Sequence, residues 1–355
     1  MIKEAPKGWD LVNFDSFFTV LPSKKYQVQK QDYLEKGLVP VVDQGQKLII
    51  GYTDDESKKF NKNNVIIFGD HTRIVKYIDF DFAVGADGTQ ILETKDGINL
   101  KFGYYQLLNK KIPDTGYNRH FKYVKAEKYV IPPTLAEQQE IVQVLDTMSD
   151  IIQLREECIS HAQDLIPALF REMFGKIERN TRLNSIISLE YGKALKAENR
   201  NSEGEYPVYG SNGIVGYHDS YIVEGQTIIV GRKGSCGKLN LTQKSCFPID
   251  TCFYIKQKTP VNWYYLFYAL QELNIENMLK DAVIPGINRN DYLRNSIRLA
   301  STSEQEQFAE KVREINSYIE EQQEELENAK QMFQSLLHHA FTGELTKHKY
   351  GEINE

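Results

Sequence analysis

The chain has 355 residues, of which 41% are hydrophobic and 11% aromatic, with 43 Lys+Arg against 49 Asp+Glu and a net charge of −6. That length and apolar content suit two or three domains with real cores and exclude an intrinsically disordered protein. No apolar run approaches the roughly 20 residues needed to span a bilayer, and residues 1–6 carry no apolar signal segment, so a cytoplasmic protein is expected.

The total charge conceals an alternation. Residues 1–130 carry a net +3, residues 131–180 a net −5, residues 181–300 a net +3 and residues 301–355 a net −7. A nucleic-acid partner responds to the local field, so the two basic blocks remain compatible with one.

In the first basic block, β-rich runs at residues 38–42, 48–52 and 65–68 are separated by turn signals such as Asp43-Gln44-Gly45, and a helix is expected near residues 100–108. The acidic block that follows carries apolar residues at Ile141, Leu145, Met148, Ile152, Ile159, Ala162, Ile166, Leu169 and Met173. The steps alternate between four and three, with Arg155 in the single gap, which is a heptad seam. Thr134 three residues before Glu137 predicts a capped helix start, and Phe174-Gly175 its end.

The second basic block repeats the first. Its β-rich runs fall at residues 221–223, 227–230 and 252–255, its turns at Gly210-Ser211-Asn212-Gly213 and Gly231-Arg232-Lys233-Gly234, and a helix is expected over residues 263–273. The last block carries a second seam at Phe308, Val312, Ile315, Ile319, Leu326, Ala329, Phe333, Leu336 and Ala340, with Gln322 in the gap. Every position is the first seam's plus 167, Glu137-Gln138 recurs as Glu304-Gln305, and Ser301 or Ser303 stands where a cap belongs. Pro40-Val41 and Pro207-Val208, Ile66-Ile67 and Ile228-Ile229, and Asn118-Arg119 and Asn288-Arg289 pair at offsets of 167, 162 and 170, the drift of loop insertions.

The chain is therefore expected to be a mixed α/β (α+β) protein built as a pseudo-two-fold repeat: a head at 1–133, a long helix at 134–178, a second head at 179–300, a second helix at 301–346 and a tail at 347–355. Helices of about 40 residues would be about 60 Å long at 1.5 Å per residue. A strict 3.5-residue period favours burying the two seams against each other, antiparallel, over docking each helix on its own head.

The order and duplication of these features resemble the specificity subunit of Type I restriction–modification enzymes, over nearly the whole chain. Pro6-Lys7-Gly8-Trp9-Asp10-Leu11, the stretch from Tyr206 to Tyr217, the stretch from Thr227 to Lys238, Pro248-Ile249-Asp250-Thr251-Cys252-Phe253 and the Glu304-Gln305 helix opening are similar to that family's pattern, whereas Val65 to Arg73 departs from the Gly-Arg-Lys-Gly form. The resemblance implies two target recognition domains, each reading one half of a split duplex DNA site. It implies two antiparallel coiled-coil spacer helices that set the gap. Two modification subunits and two restriction subunits would be the partners, and would hold the S-adenosylmethionine, ATP and magnesium chemistry. No cofactor, no metal and no membrane partner is expected for this chain.

DNA is read by phosphate contacts that position and base-edge contacts that specify, so the candidates are polar residues in Gly-rich loops. In the first head they are Gln44, Gln46, Lys47, His71, Thr72, Arg73, Asn118, Arg119 and His120. In the second they are Ser211, Asn212, Arg232, Lys233, Ser235, Lys238, Asn288, Arg289 and Asn290. Arg232 or Arg289 suits guanine, and Asn212, Asn288 or Asn290 suits adenine.

No catalytic residue is expected. The loop from Gly231 to Lys238 lacks the first glycine and the final Ser/Thr of a phosphate loop, and G-x-G-x-x-G, H-E-x-x-H and N-P-P-[YF] are absent. Cys158, Cys236, Cys246 and Cys252 form no C-x-x-C pair and fit no zinc spacing, so free thiols are expected. The alternatives are a methyltransferase with its own recognition domain, a coiled-coil adaptor without DNA function, and a specificity subunit whose partner fuses modification with cleavage.

Overall fold

The computed structural model describes residues 4–345 apart from 63, 86 and 279–285, so the expected tail at 347–355 and the last residue of the expected 301–346 helix lie outside the described residues. The chain forms two compact units, one built on Met1–Glu156 with Glu325–Glu355 and the other on Glu157–Glu324. The division cuts both long helices near their middles, so each unit holds one head and half of each helix. The helices Leu135–Phe174 and Thr302–Phe341 thus each contribute to both units.

The first head contains β1 (Asp10–Asn13), β2 (Phe18–Leu21), β3 (Val39–Val42), β4 (Gly51–Thr53), β5 (Val65–Gly69), β6 (Val75–Ile78), β7 (Ala83–Val84), β8 (Thr89–Thr94) and β9 (Lys128–Ile131). They form an antiparallel sheet in the order β2-β8-β5-β6, a sheet β4-β3-β7 with one antiparallel and one parallel pairing, and the pair β1-β9. The second head contains β10 (Thr181–Arg182), β11 (Ile187–Tyr191), β12 (Tyr206–Gly210), β13 (Gly213–His218), β14 (Thr227–Gly231), β15 (Leu239–Thr242), β16 (Phe247–Pro248), β17 (Cys252–Gln257) and β18 (Ser296–Ile297). Its sheets are β11-β17-β14-β15, β13-β12-β16 and β10-β18, the same topology strand for strand.

The central strands explain why the apolar runs fold this way. Every residue of β5 and of β14 is buried, as befits a strand covered on both faces. Side chains alternate across a strand. Ile66 and Phe68 therefore join a core with Trp9, Phe17, Phe102 and Tyr129, while Val65 and Ile67 join another with Ile78, Phe82 and Ile91. In β14, Ile228 and Val230 face one core and Ile229 the other. Two expected strands differ: the run at 48–52 is paired only from Gly51, and the run at 221–223 makes single-residue bridging at Val223 with Cys246. The expected helix at 263–273 spans Trp263–Gln271, and that at 100–108 spans Leu100–Leu108.

The first long helix runs Leu135–Phe174 and the second Thr302–Phe341, 40 residues each. The Thr134 hydroxyl accepts the Glu137 N–H at 3.2 Å, and Ser301, rather than Ser303, forms the reciprocal cap with Glu304. Pro167 lies inside the first helix without ending it. Every predicted seam position is buried or half-buried, Arg155 and Gln322 included.

Within each unit the helix segments pack antiparallel. In the first, Arg155 pairs with Glu325 and Glu156 with Lys330 at 2.7 Å, while Ile141 and Leu145 share a core with Leu337, Ala340 and Phe341. In the second, Phe308 meets Phe170 at 5.3 Å and Phe174 at 5.7 Å between ring centroids. Mutual seam burial is not the whole account, because the helix ends also dock on the heads. Phe341 packs edge-on against Phe102 at 5.4 Å, and Phe174 against Tyr265 at 4.9 Å. Burying a Phe side chain contributes about 1.5–3 kcal/mol. This explains why the apolar stripe widens beyond the heptad to Val142, Phe170, Phe174, Leu337 and Phe341, all buried.

Candidate nucleic-acid interface

In the first head, the loop after β3, the β5–β6 turn, the loop before β8 and the segment before the Phe121–Ala126 helix converge. The Gln44 side chain braces them: its carbonyl accepts the His71 N–H at 2.9 Å and its amide donates to the Asp87 carbonyl at 2.9 Å. The Thr72 hydroxyl donates to the Gln44 carbonyl at 2.5 Å, and His71 Nδ1 to the Asn118 carbonyl at 3.2 Å. Arg73 is held by Asp114 at 2.6 Å. The Gly116 N–H and then Arg73 keep the Asp114 carboxyl below its ordinary range. Gln46, Lys47, Asn118 and Arg119 are exposed on these loops.

His120 corrects the expectation placed on it. It is 0% exposed. Its Nδ1 donates to the Asp70 carbonyl at 3.0 Å and its Nε2 accepts from the Thr115 N–H at 3.4 Å, so it braces the loop from inside and cannot meet a ligand.

In the second head, the Thr251 carbonyl is the hub. It accepts from the Ser211 hydroxyl at 2.8 Å, the Arg232 N–H at 2.9 Å and the Lys233 N–H at 3.2 Å. Ser211 is largely buried, and its hydroxyl braces the loop by donating to that carbonyl. Lys238 Nζ donates to the Asn212 side chain at 2.8 Å, and on the same loop Ser235 is half-buried and Lys233 exposed. The Asn288 side chain caps the Arg289–Leu293 turn by accepting the Asn290 N–H at 2.8 Å, and Asn288, Arg289 and Asn290 are all exposed.

The sheet register aligns the two loops. β5 and β8 end their ladder at Gly69 opposite Thr89, and β14 and β17 end theirs at Gly231 opposite Cys252. A Cβ at Gly69 would lie 2.1 Å from the Thr72 hydroxyl, and one at Gly231 would lie 2.1 Å from the Ser235 carbonyl, so each returning loop needs its glycine. The next residue is Asp70 in one head and Arg232 in the other, so the same place in the fold carries opposite charge.

Two aromatic residues at these loops were not among the sequence candidates. Tyr117 is 90% exposed and stacks on His71 at 4.7 Å with the rings 8° from parallel. Tyr191 is 50% exposed at the end of β11, beside Arg232 and Arg289. The available signal was an aromatic next to glycine, in Gly116-Tyr117 and Tyr191-Gly192. Among the described residues no cluster of His, Cys, Asp or Glu could hold a metal, and no helix is long and apolar enough to cross a membrane.

Residues 6–161 and 178–328 each match the family model of the Type I restriction modification DNA specificity domain. The chain belongs to that family. It is 31% identical over 196 residues to the Type I restriction enzyme EcoR124I/EcoR124II specificity subunit of Escherichia coli, covering 50% of this chain and 47% of that protein. It is 26% identical over 182 residues to the EcoDI specificity subunit of Escherichia coli, covering 48% of this chain and 39% of that protein. In these alignments the chain spans less than half the length of the curated relatives it matches.

The fold is similar to that of the Type-I restriction-modification system S subunit from M. genitalium, with a TM-score of 0.61 at 19% identity, covering 94% of this chain and 96% of that one. A chain from a structure describing complex assembly and conformational transition of the type I R-M system gives 0.56 at 15% identity, covering 96% and 99%. The expected specificity-subunit family and the duplicated α/β fold with two long helices are borne out.

Proposed function

We propose that the chain is a non-catalytic specificity subunit that reads a bipartite duplex site, one half with each head. Its long helices set the unspecified gap and carry two modification subunits and, with them, two restriction subunits, in the cytoplasm. S-adenosylmethionine, ATP and magnesium act in those partners. The observation that carries this reading is the contrast between the heads: one topology built twice, with loops that share an Asn-Arg pair, Asn118-Arg119 and Asn288-Arg289, but differ where the central strands end, Asp70 in one and Arg232 in the other. Asp70, His71 and Tyr117 in one head face a different task from Arg232, Tyr191 and Arg289 in the other. Two different surfaces on one scaffold suit two different half-sites, since specificity lies in the base-edge contacts and not in the frame.

Exposed residues among the candidates make the DNA surface: Gln46, Lys47, Thr72, Asn118 and Arg119 in the first head, and Asn212, Lys233, Asn288, Arg289 and Asn290 in the second. Docking on the helices has its own support. Val144, Ile151 and Leu154 are exposed on the first long helix at heptad-compatible spacing, outside the seam and within the first unit. Such a stripe suits a partner helix.

Long-read sequencing of host DNA for methylated adenine, with the gene intact and deleted, tests the proposal. Loss on deletion of one split motif with a fixed gap is expected. An unchanged methylation pattern, with the protein and its partner both expressed, would remove DNA targeting and leave a coiled-coil adaptor.

A further inference from the structure

In the second head, three chain segments bring two arginines onto one ring. The Arg232 guanidinium lies over Tyr191 at 5.1 Å from the ring centroid and over Phe253 at 5.7 Å, and the Arg289 guanidinium lies over Tyr191 at 5.7 Å. Tyr191 pairs with Phe253 across β11 and β17. The segments are tied through the backbone: Gly192 N–H to the Cys252 carbonyl at 3.1 Å, Arg232 N–H to the Thr251 carbonyl at 2.9 Å, and Ile287 N–H to the Arg232 carbonyl at 3.2 Å. The Asn288 cap fixes the turn that starts at Arg289. The ring and both guanidinium stems are therefore positioned before any ligand arrives.

Among the described residues neither guanidinium lies within ion-pair distance of a carboxylate, and Arg232 Nε is buried without a hydrogen-bond partner. Two like charges gathered on one ring raise the free energy of the empty site. A ligand with paired acceptors relieves this through charge-assisted bonds. The two arginines are not equivalent: Arg232 is half-buried between two rings, whereas Arg289 is exposed. A phosphate contact needs a cation but no fixed plane, and exposed Lys233 serves that purpose without a rigid fork. A guanidinium held on an aromatic face is suited to the planar O6/N7 edge of guanine.

Resting on the proposed DNA-reading function, we infer that Tyr191, Arg232 and Arg289 form a guanine-reading site of the second head, in which Arg289 contacts the base and Tyr191 is its positioning residue. In the first head Arg119 repeats Arg289 by sequence, but the arginine at the Arg232 position does not recur. Asp70 occupies the register position of Arg232, and its carboxylate accepts the Phe121 N–H at 2.8 Å. Guanine reading by this device belongs to one half-site only.

The test is selection from a random duplex library by the full chain purified with its modification subunit, comparing wild type with Arg289→Lys, Tyr191→Leu and Tyr191→Phe. Arg289→Lys and Tyr191→Leu should relax one and the same G·C position by about 5- to 150-fold, with the other positions kept. Tyr191→Phe, which keeps the ring, should retain the preference. Arg289 is exposed, so its replacement by lysine tests the site even if Tyr191→Leu misfolds. If wild type selects a split motif but Arg289→Lys leaves every position unchanged, or weakens all evenly, the guanine site is wrong and the DNA-reading function stands. Relaxation by Arg289→Lys with full retention in a folded Tyr191→Leu variant overturns the positioning role. A wild-type protein that selects no motif overturns the underlying function as well.

Discussion

The Gln138 side-chain carbonyl accepts the backbone N–H of Asn99 at 2.7 Å. The Gln138 amide donates to the Gly97 carbonyl at 3.2 Å, so one buried side chain latches the start of the first long helix to the turn before the Leu100–Leu108 helix. Gln305 repeats the first bond in the other unit, accepting the Asn262 N–H at 3.0 Å, while its amide donates to the Ala300 carbonyl in its own lead-in at 2.9 Å. Asn99 and Asn262 in turn cap the short helices they precede.

Replacing either glutamine by leucine would leave buried backbone groups without partners, which costs about 1–3 kcal/mol. Gln138→Leu and Gln305→Leu should each lower stability by that amount. The double variant should lose roughly the sum, because the two latches lie in separate units and share no partner. Urea unfolding of the three variants checks this. A neutral Gln138→Leu would show that the latch is incidental.

The two latches were legible in sequence only as a recurring Glu-Gln pair. The long helices were legible in full, because a heptad with the same interruption twice leaves few alternatives. The heads were legible as β-rich runs, yet the register that sets Asp70 opposite Arg232 in meaning depends on pairings between distant strands. The site was the least legible part. Polar residues in Gly-rich loops serve equally as braces or contacts, and burial alone separates His120 and Ser211 from Arg119 and Asn212. Tyr191 and Tyr117 were missed because the glycine beside each marks a turn without saying whether the ring is buried or exposed.

The thiols give a direct check on burial. Cys158 is exposed on the first long helix, while Cys236, Cys246 and Cys252 are buried. Burial pushes the Cys246 thiol up to about 12 and raises Cys236 and Cys252 as well. A raised value keeps the thiol protonated, and only the thiolate reacts. Iodoacetamide at about pH 8 should therefore alkylate Cys158 alone in the native chain and all four cysteines in urea, as read by mass spectrometry. Fast native labelling of Cys246 would contradict the packing around β12 and β17.

The helices supply a geometric test of the proposed spacer role. One heptad adds about 10 Å at 1.5 Å per residue, which corresponds to about three base pairs at roughly 3.4 Å per step. Arg155 and Glu325 face each other across the seam, so a heptad inserted beside each preserves the pairing. The methylated motif should keep both halves and gain about three unspecified base pairs. Insertion beside Arg155 alone should unpair the seam and lower the melting temperature. An unchanged gap in an active doubly extended complex would rule out the helices as the ruler.

Tyr117 separates contact from stability in the first head. Its ring is almost fully exposed and is held chiefly by stacking on His71, so it buries little and its loss should change folding stability by less than about 0.5 kcal/mol. A pre-ordered aromatic on a loop with Asn118 and Arg119 is well suited to apolar contact with base edges, where a thymine methyl offers the matching surface. Tyr117→Ala should weaken binding to the cognate duplex by about 5- to 20-fold, roughly 1–2 kcal/mol, with unchanged melting and an unchanged second half-site. His71→Ala should produce part of the same loss by freeing the ring to rotate away. Binding and melting measured side by side decide the matter: if Tyr117→Ala binds as tightly as wild type, the stacked pair is a surface ornament and the first head reads DNA through Gln46, Lys47 and Arg119 without it.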